Sequence, residues 1–328
     1  MKVLVVGGAG YIGSHTVYEL IRAGHEVVVL DNLSTGRKDS VHPDARFYEG
    51  DIRNRADIDK AITAETARGP IDVTMHFAAK LIVPESVDHP LEYYQNNVEG
   101  LRVLLEALVA HGISRIVFSS TAAVYGEPDN GICREDDPTI PINPYGETKL
   151  AAEKMIKWVA AAHNMQYCIF RYFNVAGADA SLEIGLDKDQ LTHLIPLIMQ
   201  TALGARPMFS IYGSDYDTPD GTCVRDYIHV TDLAKAHVLG AEHLVNTQES
   251  LLANLGSGSG YSVKEVLDTA LALFDLPYEY GDRRQGDPAR LTADITRARE
   301  ILGWQPELNL QTIIESDYNF RKKLLAAN

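Results

Sequence analysis

Tyr145 and Lys149 stand four residues apart in the run Asn143-Pro144-Tyr145-Gly146-Glu147-Thr148-Lys149. On a helix that spacing puts both side chains on one face. A phenol titrates near ~10, so to act as a base at neutral pH it must come down by about three units, roughly 4 kcal/mol. A cation ~4 Å away at an effective dielectric of ~20 supplies about that much, so Lys149 is expected to lower the Tyr145 pKa. The same spacing also occurs where a packed ring lies beside a solvated amine. The pair acquires chemistry only if a cofactor and a substrate converge on it.

The elements that must position it are readable in order. Val3 to Val6 is apolar and runs into Gly7, Gly10 and Gly13, after which Thr16, Val17, Leu20 and Ile21 recur at helical spacing: strand, glycine turn, helix. Glycines there permit a tight turn, a close approach by a pyrophosphate and close helix packing, with the helix N-terminus toward the phosphates. Tyr11 and Ile12 lie in the same turn, whose GxxGxxG spacing departs from the commonest dinucleotide pattern. A second apolar run, Glu26 to Leu30, ends at Asp31 and Asn32, eighteen and nineteen residues after Gly13. A carboxylate there accepts hydrogen bonds from a ribose and repels a 2'-phosphate, which favours NAD over NADP, with Arg37 and Lys38 as the opposing signal. Runs at Arg46 to Glu49 and Ile71 to Met75 lead into Asp51 and Ile52, candidates for the adenine amino group and face, and into Phe77, Ala78 and Ala79. A helical pattern spans Leu91 to about His111 with Val98, Leu101, Leu104, Leu105 and Leu108 as its apolar face. The strand Arg115 to Ser119 then leads to Thr121, and in an open parallel sheet ligands bind beyond the carboxyl ends of the strands.

After a further strand, Gln166 to Phe170, the βα alternation becomes irregular. The expected fold is a Rossmann-like, doubly wound parallel α/β sheet with a smaller mixed α/β C-terminal lobe. Residues 1–175 form the NAD-binding domain, residues 176–328 mainly the substrate lobe, and 230–255 return to the first domain. The 328 residues carry a formal charge of -15, which opposes non-specific binding to nucleic acid or an anionic membrane. Against that charge, Arg225 and Arg284 in loops are candidates for gripping a diphosphate. Three scattered cysteines suggest neither a disulfide framework nor a metal site, and a reducing cytoplasm fits them. No apolar run approaches ~20 residues, so no membrane anchor is expected, and the start meets glycine too soon for an export signal.

With these features in view, the chain resembles the extended short-chain dehydrogenase/reductase family, and within it the nucleotide-sugar 4-epimerases. The resemblance runs nearly end to end. It rests on Asp31-Asn32-Leu33, on Glu49 to Arg53, on Pro90 to Tyr94, on Arg171-Tyr172-Phe173-Asn174 and on Asp220 to Val230. It implies reversible epimerisation of UDP-glucose and UDP-galactose through a transient 4-keto sugar, with a hydride passed to and from tightly bound NAD. Tyr145 would exchange the proton of the sugar 4-hydroxyl, Thr121 would relay or stabilise charge on O4, and Lys149 would hold the nicotinamide ribose. The resemblance also implies cofactor contacts at Lys80, Asn96, Ser119 and Tyr172, with Asn97 in a segment that touches the cofactor or the sugar, although relatives often carry the lysine two residues further on than Lys80. Substrate contacts are implied at Phe173, Asn174, Thr192, His193, Leu194, Tyr212, Arg225, Arg284, Asp287 and Leu291. Leu291 stands where a tyrosine excludes N-acetylated sugars and a small residue admits them, so UDP-glucose and UDP-galactose with some UDP-GlcNAc activity is the expectation. Dehydratases of the same fold need an acid and a base directly after the threonine, where this chain has Ala122 and Ala123. A non-catalytic NAD-binding regulator would be expected to lack Tyr145 or Lys149. A homodimer joined by the helices beginning near Leu91 and Pro144 is also implied.

Overall fold

The first strand, β1 (Lys2–Val6), is buried along its whole length, as an unbroken apolar run in the middle of a parallel sheet must be. The structure, a computed structural model, describes residues 1–128, 130–187, 191–283 and 288–327. They form two compact units. The first comprises Met1–Gly126, Glu135–Tyr172 and Ala234–Ala253; the second comprises Glu127–Arg134, Phe173–Leu233 and Asn254–Asn328.

From β1 the chain passes through α1 (Tyr11–Arg22), β2 (Glu26–Asp31), β3 (Arg46–Glu49), α2 (Arg55–Thr66) and β4 (Val73–His76). It continues through α3 (Val83–Asp88), α4 (Pro90–Tyr93), a π-helical turn (Tyr94–Glu99), α5 (Gly100–Ala110) and β5 (Arg115–Thr121). After the short strand β6 (Ile132–Cys133) come α6 (Pro144–His163) and β7 (Gln166–Tyr172). The rest runs β8 (Asn174–Ala176), α7 (Leu194–Ala202), β9 (Phe209–Tyr212), β10 (Val224–Arg225), β11 (Tyr227–His229), α8 (Val230–Thr247), β12 (Leu251–Leu255), β13 (Tyr261–Ser262), α9 (Val263–Leu271), β14 (Tyr278–Gly281), β15 (Arg290–Ala293), α10 (Thr296–Leu302) and α11 (Leu310–Ala327).

A seven-stranded sheet in the order β12-β7-β5-β4-β1-β2-β3 organises the first unit, so the strand order reverses beside β1. That reversal is the switch point at which doubly wound sheets bind dinucleotides. The pairs β1 with β2 and β4, β4 with β5, and β5 with β7 are all parallel. One sheet face buries Leu4, Leu30, Ile116 and Phe118 with Ile58 and Ile62 of α2, Leu101, Leu104 and Leu108 of α5, and Ile156 of α6. Each such side chain contributes roughly 1.5–3 kcal/mol on burial.

The single helix expected from Leu91 to about His111 is interrupted by the π turn, where Asn97 is buried. Its amide accepts the Lys80 N–H at 2.9 Å and donates to the Lys80 carbonyl at 3.0 Å and to Thr148 Oγ1 at 3.1 Å. Leucine periodicity on either side carries no trace of one extra residue in a turn. Helix α6 begins as its sequence dictates: Asn143 caps it by accepting the Gly146 N–H at 2.9 Å, and Pro144 supplies the first helical φ. Asn164, left-handed at φ 52°, ends it.

The second unit has a four-stranded sheet, β13-β10-β15-β6, and the two-stranded pairs β8 with β11 and β9 with β14. Ile198 and Met199 of α7, Val266 and Leu267 of α9, and Ile313 and Ile314 of α11 fill its core. Asp226, between β10 and β11, is fully buried and accepts backbone N–H bonds from Ser257, Gly258 and Ala293.

Candidate active site

The turn between β1 and α1 has no room for a side chain at Gly7 or Gly13. Gly7 is left-handed at φ +84°, and a Cβ on Gly13 would lie 2.1 Å from the Gly7 carbonyl oxygen. Gly10 caps α1 without a side-chain hydrogen bond, leaving the first backbone N–H groups of a twelve-residue helix for an anion. Asp31 ends β2, and its carboxylate is fixed by the Ala9 N–H at 3.0 Å and the Leu33 N–H at 2.8 Å. Leu33 holds a left-handed φ of 57°, a conformation unusual for a branched side chain. This cradle, the uncapped helix and the anchored acid fit a dinucleotide. Arg37 pairs with Asp39, and the Lys38 ammonium lies 5.5 Å from the centre of the Phe47 ring, so the opposing basic signal is engaged locally. Asp51 is gripped by Arg53 and by the Asn32 amide, which hold its carboxyl well below the usual range. Ile52 is buried, while Phe77, Ala78, Ala79 and Asn96 are half-buried around the ends of β4 and the π turn. The Lys80 ammonium is held by Glu85 at 3.0 Å and Glu92 at 2.6 Å.

Thr121 is the last residue of β5, and its hydroxyl hydrogen-bonds the Tyr145 phenol in the first turn of α6. One turn on, the buried Lys149 donates to the Ser119 carbonyl at 2.8 Å and lies 4.9 Å from the centre of the Phe118 ring. The spacing argument has Lys149 lowering the Tyr145 pKa, and here the structure corrects it. Burial pushes the phenol up, with the Tyr172 hydroxyl adding to the effect and the Thr121 bond opposing it. Burial also draws Lys149 down, to about 7. Both groups lose water on the same helix face, and that desolvation is the largest cause of each shift.

Behind this pair lies a hydrogen-bonded network that the sequence did not disclose. The Tyr172 hydroxyl donates to Ser119 Oγ at 3.3 Å, and Ser119 Oγ lies 3.1 Å from His237 Nε2 on α8. His76, at the end of β4, stacks on Phe118, and burial drops its pKa to about 3. Glu153, one further turn along α6, is buried in a pair with Arg171. A signal for Glu153 was present: it extends the Tyr145 and Lys149 spacing by four.

In the second unit, Arg225 on β10 is in register with Leu291 on β15. Its guanidinium donates to the Val224 and Pro288 carbonyls at 2.9 and 2.8 Å. Asn174, at the start of β8, donates to the Asp226 carbonyl at 3.1 Å. Phe173 is half-buried, Thr192 and His193 are exposed, His193 stands at the N-cap of α7 before Leu194, and Tyr212 closes β9. Arg284 and Asp287 lie outside the described residues.

A dinucleotide cradle, an acid at the end of β2, and a tyrosine and lysine on one helix face beside a strand-end threonine define a site of the short-chain dehydrogenase/reductase class. The chain belongs to the NAD dependent epimerase/dehydratase family, whose model matches residues 3–256. The UDP-glucose 4-epimerase of Halalkalibacterium halodurans is 50% identical over 326 residues, covering 98% of this chain and 96% of that protein. A crystal structure of UDP-glucose 4-epimerase from Brucella ovis in complex with NAD is 45% identical, covers 97% of each chain and superposes with a TM-score of 0.92. Another from Stenotrophomonas maltophila, with bound NAD and formylated UDP-arabinopyranose, is 37% identical over the whole of both chains with a TM-score of 0.96.

Proposed function

We propose that this chain interconverts UDP-glucose and UDP-galactose by reversible epimerisation at C4, retaining its NAD from one turnover to the next. The observation that carries the reading is the Tyr145 phenol bonded to Thr121 at the β5 end, followed directly by Ala122 and Ala123. The threonine and tyrosine can move a proton on and off one oxygen, and the two alanines offer no acid or base to eliminate water. Bound NAD supplies the hydride acceptor and donor, together with a positive ring. The glycine cradle and Asp31 would hold its pyrophosphate and adenosine ribose, and Lys149 its nicotinamide ribose. Tyr145, whose phenol the positive ring of bound NAD would help to deprotonate against the rise that burial imposes, takes the proton from the sugar 4-hydroxyl and returns it to O4 on the opposite face, while Thr121 steadies the charge on that oxygen. Arg225 and Asn174, with Arg284 and Asp287, would hold the diphosphate and uridine ribose. Leu291 would crowd an N-acetyl group without excluding it, which leaves some activity on UDP-GlcNAc.

The same reading includes a homodimer and work in the cytoplasm. No described helix is long and apolar enough to cross a membrane. Leu91 on α4 and Trp158 on α6 are 82% and 78% exposed, and they lie on the two helices that the resemblance assigns to a dimer. The test of the chemistry is conversion of UDP-galactose to UDP-glucose by purified protein with no added NAD. Turnover is expected for the wild type and its loss for Tyr145→Phe with NAD still bound. A Tyr145→Phe variant keeping more than a few per cent of the rate would sink the assignment.

A further inference from the structure

Glu153 lies on α6 one turn beyond Lys149 and two beyond Tyr145, and its side chain has no solvent exposure. Arg171 of β7 grips both carboxylate oxygens, Nε to Oε1 at 2.9 Å and NH2 to Oε2 at 2.7 Å, and Ser120 of β5 donates to Oε1 at 2.5 Å. Arg171 is itself fixed, with NH1 on the Glu135 carbonyl at 3.3 Å and Cζ 4.8 Å from the centre of the Tyr125 ring. Its neighbours in sequence make the arrangement pointed. Ser120 stands between Ser119, whose carbonyl receives the Lys149 ammonium, and Thr121; Arg171 directly precedes Tyr172. One carboxylate therefore joins the helix of the tyrosine and lysine to the ends of both strands that face them.

We propose that Glu153 is a positioning residue for Tyr145 and Lys149: gripped by Arg171 and Ser120, it fixes their helix on the strand end that carries Thr121 and places a negative charge one turn from Lys149. A buried ion pair is a poor way to gain stability, since two apolar side chains of similar volume commonly do as well. Its use here is electrostatic. Lys149 lies one helical turn from both Tyr145 and Glu153 on α6, and it meets the Ser119 carbonyl and Phe118 ring of β5 and acts on His76 of β4. Tyr93 of α4 faces Tyr145, and Lys157 lies one turn beyond Glu153. Of the groups named, Glu153 is the one carboxylate, and its charge opposes the fall that burial imposes on Lys149.

The inference rests on the proposed epimerase function, and its test separates the two. The dependence of kcat on pH at saturating UDP-galactose is measured for the wild type, Tyr145→Phe, Glu153→Gln, and the double variant Glu153→Gln with Arg171→Met. The single variant keeps the shape but strands a buried arginine and so risks the fold; the double variant removes both charges and should fold. In Glu153→Gln, which leaves the Arg171 charge in place, Lys149 is expected to lose its proton earlier, moving the alkaline limb of the profile down by about one pH unit; in the double variant, which removes a positive charge along with the negative one, the limb should move by less. At pH ~8 kcat should fall about tenfold while KM changes less than about threefold. A purely mechanical clamp would lower Tm and leave the limbs where they are. A folded Glu153→Gln with the wild-type limb and kcat overturns the inference, and so does a double variant that cannot fold, because the pair then serves the fold and not Lys149. Turnover by Tyr145→Phe would instead remove the proposed function itself.

Discussion

His76 offers a clean residue-scale test, because its imidazole is 2% exposed and Nδ1 has no hydrogen-bond partner among the described residues. Burial first, and the Lys149 charge second, take its pKa from 6.5 to about 3. Between those values the unfolded chain binds a proton that the folded protein refuses, so stability falls as pH drops through that window, by up to about 1.4 kcal/mol per pH unit. His76→Leu should be within about 1 kcal/mol of the wild type at pH 7 and more stable by roughly 2–3 kcal/mol near pH 4.5. Urea midpoints across that range decide it, and parallel pH curves would show that His76 does not carry the acid sensitivity. The residue also marks what the sequence could disclose. Tyr145, Lys149, Thr121 and Asp31 were legible because their chemistry requires given residue types at short spacing or at a strand end. The Ser119 to His237 contact spans 118 residues, and nothing local to either announces it. The direction of the Tyr145 shift is hidden for a related reason: spacing gives the distance between a phenol and an ammonium but not the water both have lost.

At the scale of elements, the π turn and the glycine turn make opposite demands. Asn97→Ala would strip partners from the Lys80 N–H and carbonyl and from Thr148, at a cost of roughly 2–3 kcal/mol. Thermal unfolding should show that loss, and an unchanged Tm would mean that water replaces the amide. Gly13→Ala acts by collision, since its Cβ would meet the Gly7 carbonyl oxygen at 2.1 Å. The turn must open to admit it, so the purified variant is expected to carry less than about a tenth of the wild-type NAD, read from the nucleotide released on denaturation. Wild-type NAD content would remove the cradle from the cofactor's site. These two elements were legible to different degrees. Three glycines at even spacing encode the second in sequence. The first depends on an asparagine reaching Lys80, 17 residues away, inside what reads as an uninterrupted leucine face.

For the whole molecule, two surface residues bear on assembly. Exposed single apolar side chains are ordinary, but tryptophan is costly to leave in water and Trp158 is 78% exposed on α6. Leu91, at 82%, lies on α4, which packs against α6 in the same unit. Sequence periodicity could not separate a helix face that meets its own core from one that meets a partner, because both are simply apolar. Exposure in the folded chain does separate them: the face of α6 carrying Ile156 is buried in the core, while Trp158 points elsewhere. If a second copy covers Trp158, a charge at its position faces an apolar surface without water and costs several kcal/mol across the symmetric pair, since each substitution occurs twice. Light scattering should give the wild type twice the 36.1 kDa of one chain, and Trp158→Glu a mass that falls toward 36.1 kDa on dilution. Because Tyr145, Lys149 and Thr121 all belong to one unit of one chain, dissociation is expected to leave the variant's kcat within about threefold of the wild type. A wild-type mass of a single chain would end the dimer proposal. A Trp158→Glu protein that stays dimeric would place the interface away from the outer face of α6.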